Sequence, residues 1–230
     1  EHTYIKKFCV KNNKIHSLFF FFKKFYRFFY FYENSDLPKK LDEEVVINNI
    51  QPIFKKYIEP NIKFLDNLDL DPNLLVIHVR SGDIFENKKH DYYQNPINYY
   101  RKIINDFEKI LVVTSADKKN PICEFLATHK KVKIQSSTFE NDFNTLYNAT
   151  NLATSGVGTF PIAAAMMSKK LKNFYFSNLY LKEHLNPEML IDKNINTHQF
   201  LIDSSYTKSY KEVTNFKNLI LDNNIEVKRI

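Results

Sequence analysis

The chain has 230 residues, 43% of them apolar, enough for one full domain, or one domain with part of a second, around a sizeable core. A net charge of +7 suits nucleic acid, an anionic surface or a phosphate-bearing substrate alike, but the lysines fall as scattered pairs (Lys39-Lys40, Lys55-Lys56, Lys88-Lys89, Lys118-Lys119, Lys130-Lys131, Lys169-Lys170) and not as an arginine-rich stripe with interleaved aromatics, which argues against a nucleic-acid face. Two cysteines, Cys9 and Cys123, are too few for a disulfide framework and show no metal spacing with any of the seven histidines.

In chain order, the stretch from Leu18 to Tyr32 is intensely aromatic. Lys23, Lys24 and Arg27 interrupt it, so no apolar run approaches the roughly 18 to 20 residues of a spanning helix. A signal peptide does not fit either, because the charges lie inside the run and no small-residue cleavage site follows. The chain begins with Glu1, so membrane association is expected only through a segment upstream of it. The compartment, cytoplasmic or Golgi and membrane-associated, stays open. Leu18 to Phe22 and Phe25 to Tyr32 read as two strands or as a buried helix. From Leu41 to Glu59, Val45, Val46, Ile50, Ile53, Phe54 and Tyr57 fit one helical face, which Pro52 kinks or divides.

From Leu74 short apolar runs alternate with amphipathic segments. Strands are expected at Leu74 to Val79, Ile110 to Thr114, Val132 to Gln135, Asn151 to Ser155 and Asn173 to Phe176. Between them, helices are expected at Ile97 to Phe107, Pro121 to Thr128, Asp142 to Ala149 and Pro161 to Ser168. This alternation implies an α/β fold with βαβ crossovers, a Rossmann-like, mostly parallel sheet and helices on both faces. In such a sheet the ligand lies beyond the carboxyl ends of the strands. After about Leu181 the chain is polar and mixed, a tail of short helices packing back on the domain.

All three glycines, Gly82, Gly156 and Gly158, fall in two loops that each follow an expected strand. The first is His78-Val79-Arg80-Ser81-Gly82-Asp83. Residues two apart on a strand share a face, so His78 and Arg80 project together at its carboxyl end. Arginine offers a rigid fork of donors that matches a diphosphate, and Asp83 is placed to hold the guanidinium or orient loop amides. The bland alternative is a structural Arg80 to Asp83 ion pair with His78 merely packed. The second loop, Ser155-Gly156-Val157-Gly158-Thr159, leads into a helix with Pro161 in its first turn, and a helix N-terminus there would aim free amides at phosphate oxygens. It is neither a Walker loop nor a full dinucleotide fingerprint, and its alternative is an ordinary helix with Thr159 as the cap. Asp117 and Asp142 are candidates to accept the paired N–H donors of a guanine edge, against the plainer reading of turn residue or helix cap. Asn148-Ala149-Thr150 is a glycosylation sequon inside an expected helix and is read as accidental.

These peptides resemble the fucosyltransferases of the GT-B type that share an His-x-Arg-x-x-Asp motif, particularly the α-1,2-fucosyltransferase-like branch, over roughly residues 71 to 180. His78-Val79-Arg80-Ser81-Gly82-Asp83 is similar to the family's His-Val-Arg-Arg-Gly-Asp, Tyr99-Tyr100-Arg101-Lys102-Ile103-Ile104 to its Tyr-Tyr-x-x-Ala-Ile, and Ser115-Ala116-Asp117 to its Ser-Asp-Asp. Asp142-Phe143-Asn144-Thr145-Leu146 and the segment from Ala153 to Phe160 stand where the family has an acidic residue and then Ser-Thr-Phe-Ser. The resemblance implies inverting, metal-independent transfer of fucose from GDP-fucose to a glycan hydroxyl, with the donor as substrate and no separate cofactor. Arg80, with Asp83 beside it, is the implied catalytic group, acting on the β-phosphate. His78 and Asp142 would contact guanosine, and the turn from Ser155 to Thr159, with Gly82 and Asp117, would complete the donor site. Ser81 departs from the family's second arginine, and Gly156-Val157-Gly158 from its serine-rich turn. The implied organisation is a short or truncated N-terminal acceptor part over residues 1–70, a nucleotide-sugar-binding half over 71–182 and a tail over 183–230. A non-catalytic nucleotide- or glycan-binding module is the other reading, and a basic nucleic-acid-binding domain the third.

Overall fold

The structure is a computed structural model that describes residues 43–86, 92–182, 184–213 and 215–230. The aromatic stretch from Leu18 to Tyr32 and Cys9 lie outside the described residues. The chain divides into two compact units, up to Lys63 and from Phe64.

In the first unit, α1 (Glu43–Ile53) carries Pro52 near its end. Proline supplies no backbone N–H and its ring crowds the preceding turn, so the α-ladder weakens there. The chain then widens into a π turn, Phe54–Ile58, closed by the Glu59 N–H donating to the Phe54 carbonyl, and ends in a 3-10 turn, Glu59–Asn61. Ile50, Phe54 and Ile58 form its buried side.

The second unit is built on a seven-stranded sheet in the order β3-β2-β1-β4-β5-β6-β7. Its strands are β1 (Leu74–Val79), β2 (Lys109–Thr114), β3 (Val132–Gln135), β4 (Asn151–Ala153), β5 (Asn173–Ser177), β6 (Asn196–Ile202) and β7 (Val227–Arg229). The first six pair in parallel and β7 runs antiparallel to β6. The helices are α2 (Asp83–Glu86), α3 (Ile97–Ile104), α4 (Pro121–Ala127), α5 (Phe139–Tyr147), α6 (Phe160–Met167), α7 (Ser204–Glu212) and α8 (Phe216–Ile220). The protein is α/β and Rossmann-like in general kind. The strand order reverses direction between β1 and β4, the place where open sheets of this kind form a crevice.

The pleat of β1 sorts its residues between two layers. Leu75, Ile77 and Val79 join a core with Tyr100 and Ile103 of α3 and Ile122 and Leu126 of α4. His78 points the other way, onto Phe160 of α6. Helix α6 is buried along almost its whole length, and Ala163, Ala164 and Ala165 let it lie close to the sheet.

The elements depart from expectation at several places; α3, expected to Phe107, ends at Ile104, and some other ends shift by a residue. Helix α5 begins at Phe139 and not at Asp142, because the Thr138 hydroxyl accepts from the Asn141 N–H and caps a turn earlier. Strand β4 ends at Ala153, which leaves Ser155 in the loop. The region read as a helical tail also adds β6 and β7 to the sheet. Only Phe200 and Ile202 of β6 are buried, so its apolar pattern is too sparse to announce a strand.

At the amino edge, Asn151, Asn173 and Asn196 stand in register on β4, β5 and β6. Asn196 donates to Asn173 at 3.4 Å, Asn173 to Asn151 at 2.8 Å, and Asn151 to the Pro72 and Leu74 carbonyls at 2.9 and 3.1 Å. This amide ladder ties four neighbouring strands together at their start.

Candidate functional site

At the carboxyl edge the loops after β1 and β4 meet. The Arg80 N–H donates to the Ser155 hydroxyl at 2.9 Å, although 75 residues separate them. A third segment, residues 92–96, braces the loop after β4. The Asn95 N–H donates to the Ser155 carbonyl at 2.8 Å, and its side-chain amide donates to the Thr154 carbonyl at 3.1 Å and accepts from the Ser177 hydroxyl at 2.5 Å. The Val157 N–H donates to the Tyr93 carbonyl at 2.9 Å, and the Tyr206 hydroxyl to the Gln94 carbonyl at 2.6 Å. Gly82 and Gly156 adopt φ of +78° and +110°, a region that side-chain-bearing residues avoid.

The sequence reading missed this brace. The Asn95-Pro96 step ahead of a helix was a signal for it, since Asn-Pro favours turn initiation and proline biases its predecessor to extended backbone.

Arg80 is held on three sides. Its guanidinium pairs with Asp83 at 3.2 Å, lies 4.9 Å over the Tyr92 ring, and has its stem 3.9 Å from where a Cβ on Gly158 would stand. Its Nε–H is enclosed and has no hydrogen-bond partner. The His78 ring packs on Phe160 with centroids 5.4 Å apart, and its Nδ1 is likewise enclosed without a partner. Burial, and secondarily the Arg80 charge, push the His78 pKa down to about 3, so the ring is neutral at physiological pH. Both elements of the bland alternative are therefore present, the ion pair and the packed histidine. What that alternative does not account for is two orphaned polar atoms, each of which costs about 1–3 kcal/mol in a buried setting.

The remaining candidates divide into those at the crevice and those engaged elsewhere. Ser155 and Gly158 lie against the Arg80 loop, whereas Gly156 packs on the backbone of Tyr93, Gln94 and Asn95. Thr159 occupies the cap position of α6, but its side chain makes no capping hydrogen bond. Ser81 is buried and its hydroxyl accepts from the Asn120 N–H at 3.0 Å, joining the β1 loop to the start of α4. Gly82 approaches Asp117, whose carboxylate would lie 3.6 Å from an added Cβ. Asp117 itself accepts from the Ser115 hydroxyl and the Lys119 N–H at 3.2 and 3.4 Å, a turn residue in its own loop. Asp142 is buried inside α5 and accepts from the Gln135 amide at 2.8 Å and the Ser137 N–H at 3.2 Å, so its carboxylate anchors the β3–α5 connection.

Two further residues join the crevice unannounced. His184 meets the Tyr92 ring edge-on at 6.0 Å, and Tyr180 lines a narrow cleft with Gly156, Gly158, His184 and Pro187. Asn148 of the sequon is buried and its amide donates to the Asp66 carbonyl at 2.8 Å, which leaves no room for a glycan. Among the described residues no group of three or more His, Cys, Asp or Glu is placed to hold a metal ion, and no helix is long and apolar enough to cross a membrane.

Comparison with protein-family models, with curated proteins and with solved structures finds no match. The fold and the crevice together define an α/β protein with a Rossmann-like sheet whose β1 and β4 loops converge on one arginine.

Proposed function

We propose that the crevice binds the diphosphate of a nucleotide sugar and that the protein is a glycosyltransferase, most fittingly one that transfers fucose from GDP-fucose to a glycan hydroxyl. Residues 71–182 are, on this reading, the core of the donor-binding half of a GT-B fold, with the acceptor part on the N-terminal side. The observation that carries the proposal is the pair of orphaned groups, His78 Nδ1 near the carboxyl end of β1 and Arg80 Nε in the loop directly after it, at the point where the strand order reverses. A ligand with several anionic oxygens would complete an arginine that has protein partners for only part of its fork.

In this role Arg80 stabilises the charge that develops on the β-phosphate as the sugar–oxygen bond breaks, with Gly158 of the neighbouring turn beside its stem. Asp83 holds one edge of the guanidinium and so sets its orientation. His78, neutral and packed on Phe160, offers a ring nitrogen to the ligand without adding charge. No general base is assigned.

Calorimetry with GDP, GDP-fucose, UDP and ADP, with no added metal, tests the donor site. The expected result is guanine-nucleotide binding that weakens at least roughly tenfold in Arg80→Ala and also in Arg80→Lys, which keeps the charge but loses the fork. If the wild-type protein binds none of these nucleotides, the proposal fails. A non-catalytic binding module is the second reading, favoured by the Arg80–Asp83 pair, which occupies one edge of the fork. It predicts GDP binding with no release of GDP from GDP-fucose in the presence of glycan acceptors.

A further inference from the structure

At the amino edge of the sheet, the end away from the crevice, the segments that lead into β4, β5 and β6 line an open groove of about 520 Å³. That size lies within the roughly 300 to 1,000 Å³ of small-molecule sites. Thr150 and Lys172 stand directly before β4 and β5, Asn196 opens β6, and Lys169 and Lys170 belong to the connection between α6 and β5. Three lysines therefore share one short rim.

The main chain of this rim is fixed. The Ser168 hydroxyl accepts from the Lys170 and Leu171 N–H groups at 3.2 and 3.0 Å, and the Thr150 carbonyl from those of Lys172 and Asn173 at 2.9 and 3.1 Å. The Lys172 carbonyl in turn accepts from the Asn196 N–H at 2.7 Å. The side chains are less committed. The Lys170 ammonium donates to the Leu68 carbonyl at 2.6 Å, which uses one of its three donors. Among the described residues the Lys172 ammonium has no hydrogen-bond or ion-pair partner, and no carboxylate lines the groove. Asp192, in the loop before β6, accepts from the Asn194 N–H and side-chain amide at 3.1 and 2.9 Å and so is engaged in its own turn.

We propose that this groove is a second binding site, independent of the crevice, for a ligand that carries two or more phosphate groups. Lysines grouped on a concave surface without a carboxylate among them set up a local positive field that draws in an anion. The cations are all lysines, compact point charges that suit the spread oxygens of phosphates, whereas a planar carboxylate favours the fork of arginine. No aromatic ring lines the groove for a base to stack on, which separates it from a nucleic-acid face. Leu171, its one apolar lining residue, is buried, so the surface offered to the ligand is polar. A free polyphosphorylated compound and a phosphorylated lipid headgroup present the same chemistry.

Calorimetry with inorganic pyrophosphate tests the groove in an Arg80→Ala background, which removes the arginine of the crevice. The expected result is binding that Lys172→Glu, added to that background, weakens at least roughly tenfold, since it reverses a charge inside the groove. Lys172 is exposed, so an unchanged urea midpoint should accompany the loss. Lys133→Glu, at an exposed position on β3, changes the net charge equally and should leave the affinity within about twofold. Arg80→Ala protein that binds no pyrophosphate, or a Lys172→Glu effect no larger than that of Lys133→Glu, overturns the groove site, whatever nucleotides do at Arg80. Sedimentation with phosphatidylcholine vesicles, with and without phosphatidylinositol bisphosphate, separates the two sources. Capture by the phosphorylated vesicles alone, lost in Lys172→Glu, assigns the site to a lipid headgroup, and pyrophosphate binding without capture assigns it to a free phosphorylated compound.

Discussion

A Cβ placed on Gly156 would lie 2.4 Å from the Tyr93 carbonyl oxygen, a separation that no real side chain tolerates. The two loops are packed backbone to backbone, since the next nearest atoms, Gln94 Cα at 3.1 Å and the Asn95 nitrogen at 3.2 Å, also belong to the main chain. None of them can swing aside as a side chain would. Gly156→Ala is therefore expected to cost about 3 kcal/mol or more, from the left-handed φ and the forced separation of the loops. Gly158→Ala meets only the flexible Arg80 stem at 3.9 Å and should change stability by less than about 1 kcal/mol. Urea unfolding of both variants checks the contrast, and equal costs would refute the close-approach account.

Tyr99 and Tyr100 are both fully buried on α3 but differ in what their hydroxyls meet. Tyr99 donates to the Tyr175 carbonyl at 3.0 Å, whereas the Tyr100 hydroxyl has no partner. Removing a satisfied hydroxyl leaves a carbonyl short of a donor, while removing an unsatisfied one relieves a desolvation penalty. Tyr99→Phe should cost about 1–2 kcal/mol, and Tyr100→Phe should be neutral or stabilise by up to about 1 kcal/mol. Thermal unfolding of the two variants decides it; a clear loss in Tyr100→Phe would mean that its hydroxyl is bonded in solution.

Acid should weaken the fold through His78. Burial holds its pKa at about 3 in the folded protein, against 6.5 for the ordinary group. Between those values the unfolded chain takes up a proton that the folded chain refuses, so this contribution is complete above about pH 6.5 and is lost as pH falls towards 3. The loss is at most about 1.4 kcal/mol per pH unit, the limit for one proton. His78→Asn removes the titration and should flatten the curve between pH 6.5 and 4.5, before the carboxylates protonate. Urea midpoints measured across that interval should diverge between the two proteins, and superimposable curves would dismiss the enclosed histidine.

The asparagine ladder predicts a graded pattern. Asn173 sits in its middle, and its loss strips Asn151 of a donor and Asn196 of an acceptor. Asn173→Ala should cost about 1–3 kcal/mol. Asn196, exposed at the end and bonded at 3.4 Å, should cost less than about 0.5 kcal/mol when replaced by alanine. Denaturant titrations that reverse this order would show that the ladder does not tie the strands.

Much of the fold was legible because it rests on local periodicity. The run from Leu74 to Val79 and the faces of α3 and α4 follow from spacings of two and of three to four residues. The two glycine loops were legible for a related reason, since left-handed backbone leaves a mark in residue type at Gly82 and Gly156. Strand β6 was not, because only Phe200 and Ile202 of its seven residues are buried and the four before them, Asn196, Thr197, His198 and Gln199, are polar and show no apolar alternation. Nor did residue type reveal that Asp142 is tied to Gln135 and Ser137, since a carboxylate in a first helical turn looks the same whether or not it is engaged.

By itself, then, the sequence determined the α/β alternation, the placing of glycines in two loops after strands, and the place of His78 and Arg80 at the carboxyl end of β1, because each depends on neighbours within a few residues. The tertiary structure alone decided that β4 lies beside β1, that Ser155 accepts from the backbone of Arg80, and that Tyr93 and Asn95 lock the loop after β4. The burial pattern of a strand states that it has neighbours but not which ones, and contacts across 75 positions are chosen by strand order and register.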